Sequence, residues 1–316
     1  MKNNIDLHIH TTCSDGALTP FEVINEAYKN NVKIISITDH DNLNAYSEEL
    51  INYAKEKDIK LITGIEISTK INKCGIHVLG YNIDIHNEEL INKITKLQNA
   101  RHDYLIKVSD KLKSLGYLVN TEKLDKIDAV TKAHIALDVI QNNDNKNILI
   151  KTFNQIPSKG LFIETIMNEG CPAYVKKETI TPVEASNLIK NAGGIVVLAH
   201  PVAYFYEDNL KEIDIKNIIE NKKADGIEAY YIYVDKDNNK HNDIKKWYKF
   251  AKENNLLVTI GSDFHSFDNI HPNIGLTNEN ININENDTNV LLKKLWLFRV
   301  FLIIKSLFSI SNWKSY

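Results

Sequence analysis

The chain is poor in cysteine and in arginine, and it has almost no net charge. It has three cysteines, Cys13, Cys74 and Cys171, with no C-x-x-C spacing among its 316 residues. That argues against a disulfide scaffold and for a reducing, cytoplasmic location. A formal charge of −3 gives no global field to recruit nucleic acid. A nucleic-acid substrate would have to be gripped locally, and no stable nucleic-acid complex is expected. Arg101 and Arg299 are the only arginines; lysine carries the remaining basic charge. Asparagine is abundant, which reads as compositional bias. No apolar run reaches the ~18–20 residues of a membrane span. In the tail, 289–316, Leu295–Phe298 and Val300–Ile304 are apolar, but Lys293, Lys294, Arg299 and Lys305 interrupt them. A helix packed on the rest of the molecule is expected there, with an interfacial membrane helix as the alternative. Met1–His10 alternates like a strand and lacks the basic-then-apolar pattern of a signal peptide.

What is present is an ordinary globular composition, 43% hydrophobic and 25% charged. Short apolar runs predict buried parallel strands at Ile5–Ile9, Ile34–Ile37, Lys60–Ile62, Ile76–Leu79, Ile195–Leu198, Gly226–Ala229 and Leu257–Ile260. Helical patterns separate most of them, so the fold class is α/β and the architecture a β/α barrel. Thr19-Pro20-Phe21-Glu22 and Thr181-Pro182-Val183-Glu184 both read as capped helix starts. The barrel is assigned to 1–87 and 181–288, with a mainly helical insertion, 88–180, between strands 4 and 5. The insertion opens on a long helix whose stripe is Leu90, Ile94, Leu97, Leu105, Val108, Leu112 and Leu115, stopped by Gly116. Arg101 falls on that apolar stripe, where an unpaired charge is expensive. It could meet an anion in a site or form a structural ion pair. Asn142–Asn147 reads as an extra polar loop.

The chemistry lies at the strand ends. In Ile5-Asp6-Leu7-His8-Ile9-His10 the two histidines share one face and the aliphatic residues take the other. The second strand runs into Asp39-His40-Asp41, the third into Glu66, and the fourth begins at His77. The fifth ends at His200 and the last at Asp263-Phe264-His265; Asp15 follows the first. The strand ends of a β/α barrel converge on one mouth. His8, His10, Asp15, His40, Glu66, His77, His200, Asp263 and His265 would therefore meet there as metal ligands. Mixed imidazole and carboxylate donors suit Mn²⁺, which is favoured, or Zn²⁺ or Fe²⁺. Nine ligands are too many for one ion with an open position; three divalent ions with a bridging carboxylate would use them. Three carboxylates against three such ions leave the mouth at about +3, which invites a phosphate.

These motifs resemble the PHP (polymerase and histidinol phosphatase) family. The matching pieces are Asp6-Leu7-His8-Ile9-His10-Thr11, Ser14-Asp15-Gly16, Ile37-Thr38-Asp39-His40-Asp41, Gly64-Ile65-Glu66, His77-Val78-Leu79-Gly80, Leu198-Ala199-His200-Pro201 and Gly261-Ser262-Asp263-Phe264-His265. The resemblance implies a distorted (βα)7 TIM-like barrel with a trinuclear centre. His8, His10, Glu66 and Asp263 would hold one ion. Glu66, His77 and His200 would hold a second, and Asp15, His40 and His265 a third. Within the family the chain resembles the branch of nucleoside 3′,5′-bisphosphate phosphatases and 5′-to-3′ exoribonucleases. That implies hydrolysis of a small phosphorylated nucleotide or the 5′ end of short RNA, with no catalytic side chain beyond the metal-bound water. Arg101, Lys132 and His134 would bind the substrate. The branch has Arg-Pro where this chain has Lys132-Ala133, and a second Arg near Tyr104 and Leu105. Lysine supplies charge but no bidentate fork. A histidinol-phosphate or other small-molecule phosphatase and a non-catalytic metal-binding module are the alternatives. The oligomeric state is left open.

Overall fold

A computed structural model of the chain describes residues 4–71, 74–127, 130–176, 178–207, 210–222, 224–235, 238–267, 272–276 and 283–295. One sheet contains β1 (Ile5–Ile9), β2 (Ile34–Ile37), β3 (Lys60–Ile71), β4 (Cys74–Tyr81), β5 (Ile195–Leu198), β6 (Gly226–Tyr230) and β7 (Leu257–Ile260), in that order. The sheet curls until its edges meet. The Asp263 N–H donates to His8 O at 2.8 Å, and the His10 N–H to Phe264 O at 2.9 Å. The result is the expected distorted seven-stranded α/β barrel.

One strand departs from the all-parallel expectation. β4 is antiparallel to both β3 and β5. Only two residues join Ile71 to Cys74, whereas a parallel crossover needs a dozen or more. β3 also runs on to Ile71, well past the predicted Ile62. The reversal serves the site. An antiparallel strand brings its early residues to the mouth, and Ser68 of β3 pairs with His77 of β4 there.

The helices form where the sequence marks them. In α1 (Pro20–Lys29), the Thr19 N–H donates to Glu22 Oε2 at 2.8 Å and the Glu22 N–H to Thr19 Oγ1 at 3.3 Å. Thr181 and Glu184 repeat the device before α5 (Pro182–Asn191). α1 and α2 (Glu48–Glu56) bury Val23, Ile24, Leu50 and Ala54 against Ile9, Ile35 and Ile37. The long α3 (Glu88–Ser114) serves two cores. Its Leu90, Ile94 and Leu97 pack with α5 against β3 and β4, while Leu105, Val108 and Leu112 join the insertion's own core, which includes Ile135 and Val139 of α4 (Lys132–Gln141). Arg101 sits at the handover. Leu115, expected in the buried stripe, is exposed because the helix has already ended. Asn142–Asn147 is not a loose loop. Asn145 is buried and its Nδ2 donates to Leu118 O and Val139 O, strapping the insertion together.

Residues 285–295 are helical, so the tail helix begins before 289. Its Leu291 and Leu295 are buried with Ile5, Tyr81 and Ile260, and Lys252 of α6 (Ile244–Glu253) pairs with Asp287. The rest of the predicted tail, 296–316, lies outside the described residues. Among the described residues no helix is long and apolar enough to cross a membrane.

Candidate metal centre

β1 supplies the floor of the site. His8 and His10 are fully buried, with Nε2 atoms 3.2 Å apart. Both Nε2 atoms approach Glu66 Oε2, at 3.3 and 3.2 Å, and Asp263 Oδ1, at 3.3 Å each. Glu66 is the hub. Its Oε1 lies 3.0 Å from His77 Nδ1 and 3.3 Å from His200 Nε2, while Oε2 is also 3.1 Å from His40 Nδ1. One carboxylate thus faces five imidazoles. Asp15 completes the cluster. Its Oδ1 is 3.4 Å from His265 Nε2 and 3.6 Å from His10 Nδ1, and its Oδ2 is 3.9 Å from His40 Nε2. All nine predicted side chains are brought together. Three subsets have donor atoms mutually within 4.8 Å: His10, Asp15, His40 and His265; His8, His10 and Glu66; and His40, Glu66 and His77.

Local structure aims these groups. Buried Asp39 accepts from Thr11 N, Thr11 Oγ1 and Ser14 Oγ at 2.7, 2.7 and 2.6 Å, holding the loop that carries Asp15. A Cβ on Gly16 would stand 2.3 Å from His10 O, so only glycine lets that loop fold over β1. Asp263 has φ 53°, a conformation that disfavours L residues by ~1–2 kcal/mol. The bond from its N–H to His8 O helps hold it. His265 Nδ1 is 2.8 Å from Asp263 O, which leaves Nε2 for Asp15.

The electrostatics call for cations. Burial alone would depress His10, but hydrogen bonds to Asp263 and Glu66 and the charges of Glu66 and Asp15 raise its pKa to about 10. Burial dominates at His40 and takes it down to about 3. Asp15, Glu66 and Asp263 are disfavoured by burial, yet the surrounding imidazoles hold all three well below the usual carboxylate range. Asp15 Oδ1, Glu66 Oε2, His40 Nδ1, His77 Nδ1 and His200 Nδ1 are buried without a well-aligned hydrogen bond among the described residues. Such groups cost ~1–3 kcal/mol each when unsatisfied. Ligand atoms ~2.0–2.2 Å from a shared ion stand roughly 3.0–3.5 Å from each other. The nitrogen–oxygen separations around Glu66 fall in that range, so the donor set fits divalent metals.

The predicted substrate residues are placed differently from one another. Arg101 is 3% exposed and already meets an anion of the chain's own. Its Nε and Nη2 donate to Asp41 Oδ2, Nη2 also reaches Ser68 Oγ, and Nη1 donates to Val130 O. Lys132 Nζ donates to Asn168 Oδ1 at 2.8 Å; partial burial and nearby Lys70 lower its pKa. His134 caps its own helix, accepting from Thr131 N at 3.1 Å; burial lowers its pKa, and the charge of Asp15 only partly opposes that. Two residues escaped the sequence reading. Glu228, within the apolar run of β6, lies against His8, and Tyr231 donates its phenol to Asp263 Oδ2 at 3.0 Å. The acid interrupting Gly226–Ala229 was the one available signal.

The sequence profile of the PHP domain matches residues 6–181. The chain belongs to the PHP family. Over 270 residues it is 32% identical to a 5′-3′ exoribonuclease of Haemophilus influenzae, covering 84% of this chain and 91% of that one. It is 27% identical over 267 residues to a 3′,5′-nucleoside bisphosphate phosphatase of Chromobacterium violaceum, covering 83% and 87%. A crystal structure from Bifidobacterium adolescentis, described as a metal-dependent phosphoesterase, shares the fold with a TM-score of 0.70 at 20% identity, over 91% and 95% of the two chains. This PHP chain is a hydrolase, a metal-dependent phosphoesterase, and the non-catalytic alternative is set aside.

Proposed function

We propose that the nine clustered side chains hold three divalent cations, Mn²⁺ by preference, and that the substrate is a phosphorylated nucleotide. A nucleoside 3′,5′-bisphosphate or the 5′ end of short RNA fits best. The observation that carries this is Glu66, whose two oxygens face different imidazole sets, Oε1 towards His77 and His200 and Oε2 towards His8, His10 and His40. That geometry suits a carboxylate bridging two ions, with Asp15, His40 and His265 as donors for the third. Bound ions of this kind lower the pKa of water to roughly 7 and neutralise phosphoryl oxygens.

The chain's own groups do the rest. Buried Glu228 adds a fourth negative charge to the ligand carboxylates, so three divalent ions would leave the mouth at about +2 rather than about +3. That still favours a phosphate dianion. Lys132, with Lys70 near it, and Lys159, near His134, give a basic edge for a second phosphate, and His134, lowered in pKa by burial, would add a hydrogen bond from Nε2 as a neutral imidazole. Holding that phosphate fixes the ester over the cluster and supplies orientation. Arg101 acts one step back, steadying Asp41 beside His40. The activities named for the Haemophilus and Chromobacterium relatives support a nucleotide over histidinol phosphate. The test compares adenosine 3′,5′-bisphosphate, a 5′-phosphorylated oligoribonucleotide and histidinol phosphate with Mn²⁺-loaded protein. Turnover of either nucleotide substrate is expected to exceed that of histidinol phosphate by at least ~100-fold, a transition-state difference of about 2.7 kcal/mol. Equal or better hydrolysis of histidinol phosphate would overturn the nucleotide assignment.

A further inference from the structure

Glu228 is 1% exposed, and both of its carboxylate oxygens face His8 Nδ1, at 3.2 and 3.1 Å. Its Oε2 also accepts the His200 N–H at 3.0 Å. Among the described residues, His8 is its ion-pair partner, and no lysine or arginine pairs with it. The space it occupies is kept open by Gly261: a Cβ there would stand 2.5 Å from Glu228 Oε1 and 2.2 Å from His8 Cβ. A buried carboxylate so placed demands a purpose, because burying a charge is costly unless it is paired.

We infer that Glu228 is a positioning residue of the metal centre, one carboxylate that sets the tautomer of His8 and anchors the backbone of His200. This rests on the reading that His8 and His200 ligate ions. An ionised carboxylate only accepts hydrogen bonds, so it keeps the proton on His8 Nδ1. The lone pair is then on Nε2, the atom that faces Glu66 Oε2, Asp263 Oδ1 and His10 Nε2. The other tautomer would put a proton where an ion must bind. Glu228 is not a tenth ligand, since its oxygens lie at the Nδ1 side of the ring, away from that meeting point. Its second contact acts on a different strand. His200, two residues past the end of β5, has φ 22°, off the favoured backbone regions, and the bond from its N–H to Glu228 holds it there. One side chain on β6 thereby fixes a donor on β1 and another just past β5 relative to each other.

The test is Glu228→Gln, which keeps the size and one acceptor but removes the charge and presents an amide NH₂. Native protein and variant are loaded with Zn²⁺, dialysed against graded chelator and assayed for metal content and circular dichroism. The variant is expected to release about one ion per chain at a chelator strength ~10–100-fold lower than native, while the remaining ions stay. Retention of every ion with native affinity would overturn the inference. If native protein itself takes up no Zn²⁺, the metal centre falls and this inference with it. Should the variant fail to fold, nitrogen-15 NMR of Zn²⁺-loaded native protein decides. A protonated His8 Nδ1 with a metal-bound Nε2 supports the assignment, and the reverse pattern overturns it.

Discussion

Within one cluster, His10 and His40 are driven in opposite directions. His10 touches Glu66 and Asp263 directly, and without metal its pKa rises from 6.5 to about 10. His40 is depressed to about 3 and stays neutral, ready to ligate. In ion-free protein, His10 therefore carries a proton at pH 7 that substitutes for a cation. Its stabilising contribution is complete below about pH 6.5 and is lost as pH rises through about 10. His40 contributes with the opposite sign: its share is present above about 6.5 and lost as pH falls towards 3. A metal held by His10 would displace that proton, and binding to a deprotonated donor set releases protons. Adding Mn²⁺ to chelator-stripped protein in weak buffer at pH 7 should acidify the solution, and metal affinity should climb between pH 6 and 8. Affinity flat across that range, with no proton release, would show that the imidazoles and carboxylates do not share protons as the distances imply.

α3 connects the insertion to the barrel, and Arg101 is where its two cores meet. The guanidinium spans Asp41, Ser68 and Val130, groups from the β2 loop, β3 and the insertion. Removing one partner of a buried ion pair costs ~3–5 kcal/mol, because the other charge is stranded. Arg101→Ala should lose that much in urea unfolding and should also lower activity, since Asp41 directly follows His40. Arg101→Lys should fall between, keeping charge but not the fork. A loss under ~1 kcal/mol for Arg101→Ala would show the pair to be incidental. The sequence revealed α3, its stripe and the misfit of an arginine on it, but not which acid it meets, since Asp41 is 60 residues away. The same reason hid Glu228, 220 residues from His8. The strands were legible from their apolar runs, and the clustering of the histidines and acids from their place at strand ends. The direction of β4 was not. Ending β3 at Ile62 left room for a crossover, although Ile65, Ile67, Thr69 and Ile71 continue the alternation to within two residues of Cys74.

At the scale of the molecule, the centre is a point where distant parts of the chain are joined. Its donors run from His8 to His265, so no local stretch of unfolded chain reproduces it. The apolar cores lie around and below it: the β1–β3 face under α1 and α2, the barrel floor with Leu291 and Leu295, and the insertion. These give the fold its hydrophobic stability and leave a buried cluster of like-charged carboxylates at the mouth. Cations that bind only the native arrangement stabilise it by mass action, ~4.1 kcal/mol per site at a free concentration 1,000 times Kd. In domains somewhat smaller than this chain, each kcal/mol moves the melting temperature by roughly 2–4 °C. Stripping the ions should lower the melting temperature by ~10 °C or more, and Mn²⁺ should restore it, with a smaller gain in Asp263→Asn because that change removes a charge shared by His8, His10 and His265. The chelated and loaded proteins are compared by scanning calorimetry at one protein concentration. Coincident transitions would mean that the cluster is held by packing alone and that the ions, if they bind, leave the fold as they found it.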